Sequence, residues 1–286
     1  MPSLIDIRRR IRSVKNTQQI TKAMKMVSAA KLRRAQDRTI ASRPYAAIFR
    51  KMLSDVAAAV AGDERVAANP LLARREENRI LLVLITGDKG LAGAFNTNLI
   101  KAAGRFVVEH PNSQVSFVLI GRKGRDFFRK RGAPTVSEHV NLAAKVKFED
   151  TGAIADKAME LFSNEEIDAV YLLYNEFKSV VSQKLTLTRV LPVELPQQSA
   201  PADYIYADPP AQMIGLLLPR YVEMEFYRAL LESAAAEHAA RMTAMDAATS
   251  NAAEMIDKLT LFMNRVRQTS ITKEIIEVVS GAAAAE

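Results

Sequence analysis

The sequence contains no cysteine, no tryptophan and only three histidines in 286 residues. The lack of cysteine excludes disulfide bonds, thiolate metal sites and a cysteine nucleophile. The histidines, His110, His139 and His238, are too far apart in sequence to form a metal-binding motif. No apolar run approaches the roughly 20 residues that a membrane-spanning helix requires. The sequence therefore predicts neither a metal site nor a membrane span.

Positive charge is concentrated at the N-terminus. The whole chain carries a net charge of +8, whereas Met1–Arg38 alone carries +9, from eleven basic and two acidic residues. A segment with this charge should bind an acidic surface. Mitochondrial transit peptides are also basic and amphipathic, but the helical pattern here continues well past their usual length.

The N-terminal segment, residues 1–61, reads as one long helix. Ser3 can cap it, and no proline or glycine occurs from Ser3 to Arg43. Pro44 should kink or interrupt the helix, because proline lacks a backbone donor and clashes with the preceding turn. One stripe of residues recurs in steps of three and four, and we call it the N-terminal seam: Leu4, Ile7, Ile11, Val14, Gln18, Thr21, Lys25, Ser28, Leu32 and Ala35.

The C-terminal segment, residues 210–286, predicts a still longer helix. Between Pro219 and Gly281 it has no proline or glycine, which allows a helix of about 90 Å. Its 3.5-residue period favours a coiled coil over an ordinary amphipathic helix on a globular core. The N-terminal helix is the obvious partner. The repeating stripe, which we call the C-terminal seam, consists of Met242, Met245, Thr249, Ala252, Ile256, Leu259, Met263 and Val266.

The pattern of apolar residues changes in the middle of the chain. We predict a linker at 62–79, an α/β domain at 80–196 and a second linker at 197–209. Apolar runs typical of parallel strands alternate with helical stretches. The predicted fold class is α/β, with a long antiparallel coiled coil of N- and C-terminal helices and an inserted Rossmann-like α/β domain. The predicted strands are Ile80–Thr86, Val115–Gly121, Ala169–Tyr174 and the half-solvated Lys184–Thr188; the helices are Asn96–Glu109, Lys123–Arg131 and Gly152–Phe162.

The only glycine-rich stretch, Thr86–Asn98, reads TGDKGLAGAFNTN. Its GxxGxxG spacing matches neither the GxGxxG dinucleotide fingerprint nor a Walker loop, so it predicts a tight turn between a strand and a helix. The acidic residues form no recognisable acid/base pair, and Glu176, Glu223 and Glu225 are predicted to be solvated. We therefore expect no catalytic residue, no cofactor and no metal.

Three motifs carry a resemblance to a known family. Asn16–Gln36 (NTQQITKAMKMVSAAKLRRAQ) and Arg265–Gly281 (RVRQTSITKEIIEVVSG) resemble the terminal signatures of the gamma subunits of F-type ATP synthases. The glycine-rich stretch resembles the third marker of that family, although Ala92 and Ala94 replace the Cys and Gly that many members carry. The motifs follow the family's order from one end of the chain to the other.

The resemblance implies a non-catalytic central rotor shaft. Ion flow would turn a ring of c subunits and the shaft with it, and the turning shaft would drive the catalytic beta subunits through their states. The implied partners are the alpha and beta subunits, the epsilon subunit and the c ring, with one copy of the chain per complex and no nucleic acid. The expected location is the cytoplasmic side of a bacterial inner membrane. The implied beta-subunit contacts are Met24, Lys25, Arg241, Arg267, Gln268 and Thr272, and the implied c-ring contacts are Tyr204, Tyr206 and Asp208.

Two other functions are compatible with parts of the sequence. The basic N-terminal segment could belong to a coiled-coil protein that binds nucleic acid. The strand–glycine–helix turn could belong to an oxidoreductase. Each alternative rests on one feature, and the helical seam would be unnecessary for a helix that only follows phosphates. Met24 could equally be a packing residue of the helix pair, because methionine in helices usually is.

Overall fold

The computed structural model describes residues 3–60, 66, 68–144, 146–195 and 209–283. In the order of the chain, the helices are α1 (Leu4–Ala59), α2 (Phe95–Glu109), α3 (Arg122–Arg129), α4 (Phe148–Ser163) and α5 (Pro210–Ala283). The strands are β1 (Arg79–Ile85), β2 (Gln114–Ile120), β3 (Thr135–His139), β4 (Ala169–Phe177) and β5 (Gln183–Leu191). Two short 3-10 turns lie at Pro70–Leu72 and Leu142–Ala144.

The chain forms two compact units. Met1–Ser28 and Met242–Glu286 make up the first, and Ala29–Arg241 makes up the second. The terminal helices contribute to both units, and the sheet lies wholly in the second. The predicted fold class is confirmed, because long N- and C-terminal helices flank a mostly parallel sheet. The predicted boundaries of the domains and linkers stay predictions.

The sheet of the second unit has the strand order β3-β2-β1-β4-β5. Pairing is parallel throughout except between β4 and β5, which are antiparallel. The central strand β1 is buried from Ile80 to Ile85, as its continuous apolar run predicts for a strand covered on both faces. Strand β3, Thr135–His139, is missing from the prediction. It is short, and its side chains alternate between half-buried and exposed, so it has no apolar run.

The terminal helices also enclose the core of the second unit. Leu53 and Val56 of α1 join Leu218, Val222 and Phe226 of α5 in one apolar cluster with the sheet and α4. An alanine-rich part of α5 is almost fully buried, which allows close backbone approach: Ala234, Ala235, Ala236 and Ala239. The helices therefore serve both as a pair and as one layer of the α/β domain.

Helix α1 is not interrupted at Pro44, and the alternative that the proline kinks the helix stays a prediction. Pro44 is exposed, and the carbonyl oxygen that loses its backbone donor at this turn can be solvated. The N-terminal cap is confirmed, because the amide N–H of Ile5 donates to the Ser3 hydroxyl oxygen at 3.1 Å.

Phe226 tests how strongly α5 is anchored in the second unit. Its side chain is fully buried in the apolar cluster. Phe226→Ala should lower the free energy of unfolding by about 3–5 kcal/mol, because it removes transfer energy and leaves a cavity. Leu216 on the same helix is 72% exposed, so Leu216→Ala should change stability by less than about 0.5 kcal/mol. Urea unfolding followed by circular dichroism would measure both, and equal losses would contradict the proposed anchoring.

Candidate functional site

In the first unit, α1 and α5 pair along the two predicted seams. Thr249 Oγ1 donates to Thr21 Oγ1 at 2.8 Å, and Lys25 Nζ donates to Asp246 Oδ1 at 2.6 Å. As the α1 number rises, the α5 number falls, so the pairing is antiparallel, as predicted. Every residue of both seams is buried or half-buried, including the polar Gln18, Thr21 and Ser28.

The polar part of the N-terminal seam is satisfied by hydrogen bonds rather than by apolar packing. Ser28 is 3% exposed and donates to the carbonyl oxygen of Met24, one helical turn back. Thr21 is 9% exposed and has both a backbone carbonyl and Thr249 as partners. Buried hydroxyls without partners would cost free energy, so these bonds allow small polar residues at the helix interface.

Met24 and Lys25 are both half-buried in the first unit. The ion pair between Lys25 and Asp246 is open to solvent, with side-chain exposures of 40% and 56%. Lys25 thus lies at the edge of the helix pair, where part of its charge stays accessible.

The end of α5 extends past the start of α1. Continuing the observed register at equal rise places Leu4, the first residue of α1, about opposite Val266. From Arg267 to Ser280 every described side chain is exposed except the half-buried Ser270. We call Arg267–Ser280 the C-terminal overhang. It carries three predicted contacts, Arg267, Gln268 and Thr272, and five exposed apolar residues: Ile271, Ile275, Ile276, Val278 and Val279.

Arg241 lies apart from those contacts, in the second unit. It is 8% exposed, and its guanidinium donates to the carbonyl oxygens of Gly90 and Lys89, both at 3.3 Å. It also forms a buried ion pair with Glu237 and lies 3.4 Å from Nδ1 of His238. The structure therefore places Arg241 against the glycine-rich stretch. Tyr204, Tyr206 and Asp208 lie outside the described residues.

Burial keeps His238 neutral. Desolvation is the main cause, and the positive charges of Arg241 and Lys31 add to it, so that the pKa of His238 falls to about 4. A neutral imidazole can accept a hydrogen bond from Arg241, whereas an imidazolium would repel it.

Sequence reasoning missed a set of buried acidic residues on α5. Glu223 and Glu225 were expected to be solvated, but they are only 7% and 8% exposed, so that prediction is wrong. Glu225 accepts hydrogen bonds from Arg50 at 3.0 Å and from Arg228 at 2.6 Å. Burial alone would lower the pKa of Arg228, but Glu225, Tyr174 and Tyr221 together outweigh it and the pKa is raised. The three-residue spacing of Glu225 and Arg228 is the one signal in the sequence that could have revealed the pair.

The described residues hold no group of three or more histidines or carboxylates arranged to bind a metal ion. Among the same residues, no helix is both long enough and apolar enough to cross a membrane.

An antiparallel pair of terminal helices with an inserted parallel sheet defines a recognisable class of protein. The family described as ATP synthase matches residues 3–285. The chain is 80% identical over 286 residues to the ATP synthase gamma chain of Solibacter usitatus (strain Ellin6076), covering all of both chains. It is 50% identical to the gamma chain of Anaeromyxobacter sp. (strain Fw109-5), covering 99% of each.

Solved structures agree with this class. The central stalk and c-ring structure of the Tetrahymena thermophila mitochondrial ATP synthase contains a chain with a TM-score of 0.62 and 28% identity, matching 80% of this chain and 99% of that one. A chain of the Euglena gracilis mitochondrial ATP synthase shares the fold with a TM-score of 0.68 at 19% identity, covering 98% of this chain and 94% of that one. The protein belongs to the ATP synthase gamma-chain family.

The exposed Lys25–Asp246 pair gives a test of what holds the helix pair together. A double-mutant cycle with Lys25→Ala and Asp246→Ala should give a coupling energy of about 0.2–1 kcal/mol, because both side chains remain solvated. The coupling should shrink further in high salt. Urea unfolding would measure it, with the exposed Glu254–Lys258 pair of α5 as the control. A coupling above about 2 kcal/mol would instead make this pair a principal lock of the helices.

Proposed function

We propose that this chain is the central rotor shaft of a bacterial F-type ATP synthase and has no active site of its own. One copy would connect a ring of c subunits to the hexamer of alpha and beta subunits, with the epsilon subunit beside it. It would lie at the cytoplasmic side of the inner membrane, held there by its partners. Ion flow through the c ring would turn the shaft, and the shaft would force each beta subunit through its catalytic states.

The C-terminal overhang is the observation that best supports this proposal. Five large apolar side chains lie exposed on a helix that has no partner there within the described chain. An exposed apolar surface of this kind is typical of an interaction site. The five side chains share one face of the helix, because their spacing of i, i+4, i+5, i+7 and i+8 covers less than half of its circumference, and an alpha or beta subunit could bind this face.

The individual contacts follow from exposure and charge. Arg267, Gln268 and Thr272 are exposed at the start of the overhang, where they could bind beta subunits. Lys25 presents a partly accessible charge beside Met24, suited to an acidic loop of beta. Arg241 could add to the beta contact only through its small exposed part, because its guanidinium is engaged within the second unit. Tyr204, Tyr206 and Asp208 are proposed to contact the c ring.

A shaft also has to resist twisting. Burial along two seams joins α1 to α5 over many turns, and the seams carry small or flexible side chains rather than large aromatic ones. The eleven basic residues of Met1–Arg38 give the outer surface of α1 a charge that an acidic partner would attract. Contacts of this kind affect orientation and rate more than affinity, as a moving contact requires.

Reconstitution is the direct test of the proposed function. The chain would be mixed with purified alpha and beta subunits, and ATPase activity and particle mass would be measured with and without it. We expect one copy to enter each hexamer and rotor-dependent ATPase activity to appear only then. Failure to assemble under conditions where another gamma chain assembles would reject the proposal.

The overhang allows a sharper prediction within that assay. Ile275→Asp should weaken assembly with alpha and beta by about tenfold or more, because the partners would have to bury an unpaired carboxylate. Val108 is also exposed, at 77%, but lies on α2 in the α/β domain, so Val108→Asp is the matched control and should assemble normally. Mass photometry across a concentration series would measure both variants. Equal assembly of the two would show that the overhang is not a binding surface.

A further inference from the structure

The glycine-rich stretch is attached to α5 by an ion pair within the second unit. After β1 the chain turns through Gly87, Asp88, Lys89 and Gly90 before α2 begins. Arg241 donates to the carbonyl oxygens of Lys89 and Gly90 and pairs with Glu237 one helical turn earlier. Glu237 and Arg241 are 6% and 8% exposed. Neither the predicted tight turn nor a contact with beta accounts for these buried bonds.

Glycine at position 87 is required by this contact. A Cβ added to Gly87 would lie 2.8 Å from Cδ and 2.9 Å from Oε1 of Glu237. Those distances are shorter than side-chain atoms tolerate, so any larger residue would push the carboxylate away from Arg241. The backbone of the turn and the ion pair on α5 thus fit together only because this position lacks a side chain.

The turn is also held by residues elsewhere in the α/β domain. Asn96 Oδ1 accepts from the Gly87 N–H at 2.8 Å, and Asn96 Nδ2 donates to the carbonyl oxygen of Lys89 at 3.3 Å. Asp88 accepts from the backbone N–H groups of Arg122 and Asn141, each at 3.1 Å. These bonds hold the turn to α2, to the first residue of α3 and to the segment after β3.

We propose that Glu237 and Arg241 form a clamp that fixes the α/β domain to α5 against rotation and so transmits torque between them. This inference rests on the proposed rotor function and adds positioning residues to it. The clamp is defined by Glu237, Arg241 and the carbonyl groups of Lys89 and Gly90. It gives the glycine-rich stretch a mechanical role.

The clamp complements the apolar core, which holds the same elements together in a different way. Apolar contacts are non-directional, so they resist separation better than sliding. Hydrogen bonds from a planar guanidinium have a defined direction and weaken steeply when it changes. Charge-assisted bonds are also roughly twice as strong as neutral ones, and these lie away from solvent. A small rotation of α5 against the domain would therefore be resisted by the clamp in addition to the packed core.

The first measurement concerns the clamp alone, in the isolated full-length chain. Glu237→Gln keeps the size of the side chain but removes its charge. Hydrogen exchange at the backbone amides of Gly87, Arg122 and Asn141 should become about tenfold faster, since Arg241 loses the carboxylate that orients its guanidinium toward the turn. Glu160→Gln is the matched control, because it removes a carboxylate from an exposed pair with Lys157. Unchanged exchange in Glu237→Gln would overturn the clamp while leaving the proposed rotor function intact.

The second measurement concerns torque, in the assembled complex in membrane vesicles. We expect Glu237→Gln to retain ATP hydrolysis without an opposing ion gradient. Against a rising gradient, it should lose ion pumping per ATP hydrolysed, while Glu160→Gln should behave like the parent. Loosened exchange combined with full pumping against the gradient would overturn the torque role. Failure of the parent chain itself to assemble would instead reject the proposed function.

A reversible cross-link separates loss of torque from general damage. The chain has no cysteine, so Lys89→Cys and His238→Cys introduce its only thiols. Arg241 contacts both positions, through the backbone carbonyl oxygen of Lys89 and through the imidazole ring of His238. In the Glu237→Gln background, a short thiol-reactive cross-linker should restore pumping against the gradient, and reduction should abolish it again. The parent complex, without the introduced cysteines, receives the same reagents as a control. Absence of rescue would overturn the clamp.

Discussion

The structure depends on one constraint. The two terminal helices are too long for the α/β domain to cover, so each has to bury the apolar residues of the other. α5 has 74 residues and α1 has 56, and their seams repeat every 3.5 residues. Antiparallel pairing buries or half-buries both seams in the first unit. In the second unit the same helices also cover the sheet, so their charged residues become buried and have to be paired. The ion pairs of Glu225 and Glu237 are consequences of that double use.

Much of this organisation could be predicted, because periodicity is a local property of the sequence. The seams show it most clearly: Thr21 and Lys25 interrupt the apolar pattern, yet both take the interhelical positions that the repeat assigns to them. The buried strand β1 was predictable for the same reason, since an apolar run records burial on both faces.

What could not be predicted depends on residues that are far apart in the chain. Glu225 resembles a surface residue until Arg50, 175 positions away, is placed beside it. Arg241 resembles a surface contact until the turn at Gly90, 151 positions away, reaches it. Strand β3 gave no signal, because Thr135–His139 obtains its conformation from pairing with β2 rather than from its own composition.

Antiparallel pairing of the chain's two ends has a consequence for biosynthesis. Thr21 cannot pair with Thr249 until the 228 residues that separate them have been synthesised. The seam of α1 therefore leaves the ribosome uncovered and remains uncovered until synthesis is nearly complete. Such distant contacts form slowly, and exposed apolar stripes promote aggregation meanwhile. The many polar and small residues in the N-terminal seam reduce that hazard. They let the nascent helix remain in water until its partner has been made.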